Sequence, residues 1–268
     1  MKKLKSFFIF CLVLAILFTN TISCFAYETD YDFLLNHGFS KDFLDSLTDE
    51  MLSEMRTSIG NDEVVSINTE TVYLSEDTSA NPQARGTISE DSLELNISAT
   101  TICKQNTSTI TSVLAIVTWE WALNKPFAKK EDAISVNWNA DVFYFYSNSF
   151  YSVDLFKSYE TAEWNILNEY TSPLELNQGG LGFLTEIAST ASPIPMYVGG
   201  QALFFLNPTE PMYVGNTHGT GINVNYVHNR SILPMSISFV YEGFGIEIDP
   251  SREAYDTIAK ACDIEFTR

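Results

Sequence analysis

The sequence predicts a mainly β protein: an antiparallel β-sandwich or barrel-like domain preceded by a small N-terminal helical segment. Three observations point there. Short runs rich in β-branched and aromatic residues recur with turn material at roughly 8–12-residue spacing. Several of these runs alternate apolar and polar side chains with a period of two. The helix–strand alternation of a parallel α/β fold is absent. With 45% hydrophobic and 13% aromatic residues in 268, material for a core is ample.

Residues 1–26 have the layout of a secretory signal peptide. Lys2, Lys3 and Lys5 precede an uncharged apolar run, Phe7 to Phe18, and a polar stretch leads to Ala26 before an acidic segment. The apolar run is too short to span a bilayer, which takes about 20 residues. Cys24 has a second reading as a lipid-anchored cysteine, but its upstream residues lack the leucine of a good lipobox. Cleavage after Ala26 would remove three lysines and no acid, leaving 12 basic and 34 acidic residues and a formal charge of −22. That sign repels nucleic acid and anionic lipid, so neither is an expected partner. With no later run long enough to be a second anchor, a released extracellular protein is expected.

Residues 27–60 read as a helical appendage. Ser40 and Thr48 are placed as N-caps, Leu47 and Leu52 as a hydrophobic staple, and Gly60 as a stop. Phe33, Leu34, Phe43, Leu44, Met51, Leu52 and Met55 form the apolar stripe, expected to pack on the main domain. Residues 61–87 read as one strand, Val64 to Leu74, plus a linker at 79–86. Residues 88–268 read as the β-rich main domain. Its expected strands cover 93–101, 109–123, 133–138, 142–146, 151–156, 196–198, 202–206, 222–228, 234–241 and 244–248. Tyr159, Ala162, Ile166, Leu167 and Tyr170 fit a 3.6 period and predict one interrupting helix. Asp249-Pro250 reads as the start of a helix through Ala261, although Ile264 and Phe266 suit a last strand. The echo of Pro195–Gly199 at Pro211–Gly215 reads as two similar strand starts.

No segment carries a specific catalytic or cofactor motif, and no cofactor or metal is expected. His218 and His228 lack metal-ligand spacing. Cys103 has no glycine-rich surround, so a Cys–His nucleophile has no signature. Gly179-Gly180-Leu181-Gly182 lacks the lysine of a phosphate loop. Two carboxylates would suffice for a glycosidase, and Glu120, Asp141 and Glu242 are on offer without any being selected. Asn61-Asp62-Glu63 or Asn139 with Asp141 could contribute to an irregular calcium site. Once Cys11 and Cys24 are removed, Cys103 and Cys262 remain as a candidate disulfide.

The aromatics are most open to a functional reading. Trp119, Trp121, Trp138, Tyr144 and Tyr146 are candidate ligand-binding residues, since an exposed aromatic platform stacks on sugar rings or anchors a partner. The competing reading places the tryptophans in the core. The expected function is therefore non-catalytic binding of a surface ligand, a glycan or a protein, by an exported protein. Two alternatives stand beside it: an exported hydrolase with an unrecognised carboxylate or Cys–His site, and a pore-forming protein using the amphipathic stretch Ser98 to Leu123. In general layout the chain resembles small exported proteins of Gram-positive-type bacteria.

Overall fold

A computed structural model of the chain describes residues 28–73, 93–121, 130–158, 164–187, 195–229, 237–242, 245–250 and 255–268. The expected signal peptide with Cys24 and the 79–86 linker lie outside the described residues. Three helices open the described chain: α1 (Asp30–Asn36), α2 (Lys41–Asp45) and α3 (Asp49–Ile59). The side chains of Thr29, Ser40 and Thr48 cap them by accepting from the amides of Asp32, Phe43 and Met51. Each thereby satisfies one of the amides left open at a helix start. Gly60 ends α3 at φ +58°, a conformation that costs glycine little.

The strands are β1 (Glu63–Tyr73), β2 (Leu93–Cys103), β3 (Ile110–Trp121), β4 (Lys130–Trp138), β5 (Phe143–Phe145), β6 (Tyr151–Ser158) and β7 (Trp164–Tyr170). They continue as β8 (Glu175–Leu176), β9 (Gly180–Ile187), β10 (Pro195–Pro208), β11 (Tyr213–Asn229), β12 (Ile237–Glu242), β13 (Gly245–Pro250) and β14 (Tyr255–Thr267). One antiparallel sheet runs β1-β2-β3-β10-β6-β7, with β5 also on β10. A second runs β14-β11-β4-β9-β8, and β12-β13 is a separate hairpin. Among the described residues no ladder joins the two sheets, which pack face to face as a sandwich.

The main core lies between the sheets. Leu95, Ile97, Val113, Val117 and Phe204 from the first meet Ile134, Val136, Val224 and Ile264 from the second. Trp119, Trp121 and Trp138 belong to this core and are at most 4% exposed. This corrects the platform reading for all three: burying a large ring in the core gains more than leaving it in water. A second core lies on the outer face of the first sheet, where Leu34, Leu44, Met51 and Met55 pack on Ile102, Leu114, Ile116, Leu203 and Phe205. The molecule thus has three layers, helices, sheet and sheet.

Other expectations are corrected. Residues 164–170 form an edge strand, not a helix; 159–163 lie outside the described residues. The register shifts between Asp154 and Leu155 of β6, opposite Asn168 and Ile166, so Leu167 is an extra residue in a bulge. Its insertion puts apolar side chains at 166, 167 and 170, which mimics a helical period. The tail is strand as well: β14 pairs with β11 from Tyr255↔Asn229 to Phe266↔His218. The runs at 196–198 and 202–206 are one strand, β10. Strand β9, which contains Gly180 and Gly182 of the run weighed above as a phosphate loop, is an additional strand. Gly182 sits where a Cβ would lie 2.5 Å from the Phe239 ring, so its glycine allows the β12–β13 hairpin to pack closely on the second sheet.

Cys103 and Cys262 are free and buried. Cys103 pairs with Glu63 at one end of β1, whereas the Cys262 thiol donates to the carbonyl of Asn68, five positions along that strand. At about 3.3 Å per residue this separation far exceeds the ~7 Å Cα spacing that a disulfide tolerates. Of the stretch Ser98 to Leu123, considered above as a membrane hairpin, the described residues up to Trp121 form strands β2 and β3 of the first sheet, with one face in the main core and the other packed in part against the helices.

Candidate functional site

The outward face of the first sheet changes character along its strands. Outward positions are Ile102, Thr100, Ser98, Asn96 and Glu94 on β2, and Leu114, Ile116, Thr118 and Glu120 on β3. The helices cover the apolar end. Beyond α2 the face turns polar, and there it forms a groove of about 340 Å³. Its lining includes Thr69 and Thr71 of β1, Glu94 and Asn96 of β2, Thr118 and Glu120 of β3. Phe43 and Ser46 of the helical layer and Trp164 of β7 supply walls. Gln201 of β10 holds the helical wall: its amide donates to the Ser46 carbonyl, and its carbonyl accepts from the Thr48 amide at 3.1 Å.

Glu94 and Glu120 are direct partners in the β2–β3 register. Cβ atoms of such cross-strand pairs lie about 4.5–5.5 Å apart. Asn96 orients one member, donating to Glu94 Oε1 at 2.9 Å and to Thr118 Oγ1 at 3.2 Å. The Glu120 carboxyl is pushed above its ordinary range, first by desolvation and next by the charge of Glu94, with Lys157 pulling the other way. Lys157 Nζ also sits 5.7 Å from the centroid of the Trp164 ring.

A different polar cluster closes one end of the inter-sheet core. Asp132 Oδ2 accepts from Tyr226 Oη at 2.6 Å, and Oδ1 accepts from the Asn229 amide at 3.0 Å. His228 Nδ1 lies 2.9 Å from Asp132 Oδ2, and Trp121 Nε1 donates to Tyr226 Oη at 2.9 Å. Nearby, Asp154 accepts from Thr185 (2.6 Å), Tyr170 (2.9 Å), the Glu186 amide (3.0 Å) and Asn168 (3.1 Å). Burial raises the Asp154 carboxyl, against the lowering effect of these four donors. It also pushes the Tyr226 phenol well up, with Asp132 adding to the shift. Asp132, Tyr226 and His228 combine an acid, a phenol and an imidazole, yet all are at most 2% exposed. Their hydrogen bonds tie β3, β4 and β11 together.

The remaining sequence candidates separate. His218 and His228 lie ten residues apart on β11, roughly 33 Å at strand rise, so they share no metal. Among the described residues no group of three or more His, Cys, Asp or Glu is placed to hold a metal ion. Desolvation, then Asp62 and Glu63, raises the Cys103 thiol, the opposite of what a nucleophile needs. In the loops considered for calcium, Asp62 accepts from Thr111, and the Asn139 side chain accepts from the Asp141 amide. Tyr144 and Tyr146, at 48% and 54%, are exposed at β5 and away from the groove. The sequence had offered Glu120 without selecting it. Glu94, Asn96, Thr118 and Trp164 were missed as site residues, although the polar alternation at 94, 96 and 98 was the available signal.

No protein-family model matches the chain, and no curated protein matches it. Among solved structures it is similar to the collagen-binding domain from a Staphylococcus aureus adhesin, at 6% identity and TM-score 0.27, over 56% of this chain and 87% of that one. It is also similar to AvmM, which catalyses macrocyclization in alchivemycin A biosynthesis, at 11% identity and TM-score 0.27, over 57% of this chain and 80% of that one. At these scores neither likeness carries an inference about ligand or activity. Among the described residues no helix is long and apolar enough to cross a membrane.

Proposed function

We propose that the protein is an exported binding protein whose ligand is a glycan lying in the groove beside α2. The observation that carries this reading is the lining: hydroxyls of Thr69, Thr71 and Thr118, the Asn96 amide and the carboxylates of Asp42, Glu94 and Glu120, flanked by the Trp164 indole. Sugars offer hydroxyls to hydrogen-bond and C–H faces to stack on aromatic rings, so this mixture suits them better than it suits an apolar helix. A volume of about 340 Å³ is at the small end for a ligand site, enough for one or two sugar rings of a longer chain. Export rests on the signal-like residues 1–26 and the acidity of the remainder.

A second reading, a protein ligand, is favoured by the exposure of Tyr144 and Tyr146, whose rings offer an anchor outside the groove. A glycan array probed with the purified protein separates the two. Expected are bound glycans whose affinity falls at least about tenfold in W164A and in N96A, the loss of one good contact, and is unchanged in the double variant Y144A/Y146A. Binding that survives W164A and N96A, or is lost in Y144A/Y146A, overturns the assignment to the groove.

A further inference from the structure

We propose that the seam between the two sheets binds an extended segment of a partner protein that carries Lys or Arg at alternate positions. The seam lies where β1, the end strand of the first sheet, runs beside β14, the end strand of the second. Asn68 Nδ2 donates to the Asp263 carbonyl at 2.9 Å, and the Cys262 thiol donates to the Asn68 carbonyl at 3.3 Å. Lys260 Nζ lies 3.1 Å from Glu70 Oε2. Position 70 therefore faces 260 and position 68 faces 262–263, which makes the two strands antiparallel neighbours. Among the described residues no ladder joins them, and the outer edge of each pairs with no other strand. The joins described here all involve side chains, so the edges keep backbone donors and acceptors for a further extended chain.

A second groove, of about 760 Å³, follows this seam and shares only Thr69 with the lining of the glycan groove. Its composition selects the occupant. Glu70, Asp263 and Glu265 line it, and no lining side chain is basic. The cation next along β14, Lys260, is engaged by Glu70, whereas Asp263 and Glu265 enter no ion pair among the described residues. Ile67 and the exposed Val214 add apolar contact between these charges. A formal charge of −19 on the whole chain steers a cationic partner toward the protein, and the unpaired carboxylates give it a place to dock.

The spacing of the carboxylates defines the pattern they read. Cys262, Ile264 and Phe266 point into the core, so Asp263 and Glu265 share the outward face of β14 at alternate positions. Two residues along a strand span about 6.6 Å. An extended peptide repeats its side chains on one face at the same interval, so basic residues at i and i+2 meet both carboxylates at once. A basic helix fits less well, because its backbone groups bond within the helix and leave the strand edges unpaired.

The test is fluorescence anisotropy of the purified protein with three labelled peptides: alternating Lys and Thr, the same residues in two blocks, and alternating Glu and Thr. The alternating Lys peptide should bind, the blocked one several-fold more weakly, and the Glu peptide not at all. D263N/E265Q should weaken binding of the alternating Lys peptide at least about tenfold. E247Q/D249N removes the same charge from exposed positions of β13 and should leave the affinity within about twofold. Unchanged thermal midpoints establish that both double variants fold. Hydrogen exchange with the peptide bound should show added protection at 66–70 and 261–265. No binding, equal binding of the blocked peptide, equal loss in the two double variants or protection confined to other strands overturns the proposal. Glycan binding on the array should be unchanged in D263N/E265Q, so failure at the seam leaves the glycan reading standing.

Discussion

Trp121 of the first sheet donates its indole N–H to the hydroxyl of Tyr226 in the second, and that hydroxyl donates in turn to Asp132. One phenol oxygen thus joins both layers of the sandwich in a place closed to water. In Y226F the indole N–H loses its acceptor and the carboxylate one of its donors, both while buried. A loss of about 1–3 kcal/mol is expected, the cost of leaving a buried polar group unmet. Denaturant titration of the purified protein measures it, and an unchanged midpoint would contradict the account.

Asp154 predicts a pH dependence whose sign can be worked out. Its carboxyl is raised by burial, so between the ordinary value of 3.8 and its folded value the native state holds a proton that the unfolded chain has released. Stability from this group is therefore present at low pH and declines as pH rises through that window. The stability advantage of the wild type over D154N should shrink as the pH is raised from about 3.8, as read from thermal midpoints across a pH series. An advantage that grows with pH would mean that the four donors outweigh desolvation.

Gln201 fastens the helical layer to the sheet through both ends of its side-chain amide. Q201A removes the two bonds and should cost about 1–3 kcal/mol of local stability. Hydrogen exchange reads this directly: the amides of α3, beginning with Met51 and Leu52, should lose protection while those of β11 keep theirs.

Neither Cys103 nor Cys262 should react with a thiol reagent in the folded protein. Both are buried, and burial pushes the Cys262 thiol to about 11, with the Cys103 thiol also raised. Labelling should reach both of them on denaturation without reductant. A protein that needs reductant first would contain the disulfide that the strand geometry opposes.

Local chemistry carried much of the fold. Ser40, Thr48 and Gly60 mark their helix ends through their own side chains or backbone, and the alternation from Leu93 to Thr101 places β2 with one face inward. What escaped depended on partners far away in the chain. The bulge at Leu167 is visible only against β6, and the glycine at 182 acquires its reason from the Phe239 ring. The site was hidden in the same way. Glu94 and Glu120 are ordinary polar positions until the β2–β3 register sets one against the other, and Trp164 joins them only because β10 and β6 lie between β3 and β7. The four tryptophans look alike as sequence. Three lie where two sheets close over them, and the fourth is on an edge strand with its ring partly open.

The division of the outer face into an apolar end and a polar end has a thermodynamic consequence. Phe43 and Ser46 of the helical layer and Glu94, Asn96 and Thr118 of the sheet border the same groove. A ligand touching both sides gains full contact only while the helices are docked, so occupancy and docking are linked equilibria, each favouring the other. Whatever occupies the groove therefore acts as a clasp on residues 28–60, and a substitution that loosens their docking away from the groove, such as M55A, should weaken binding without removing a lining side chain.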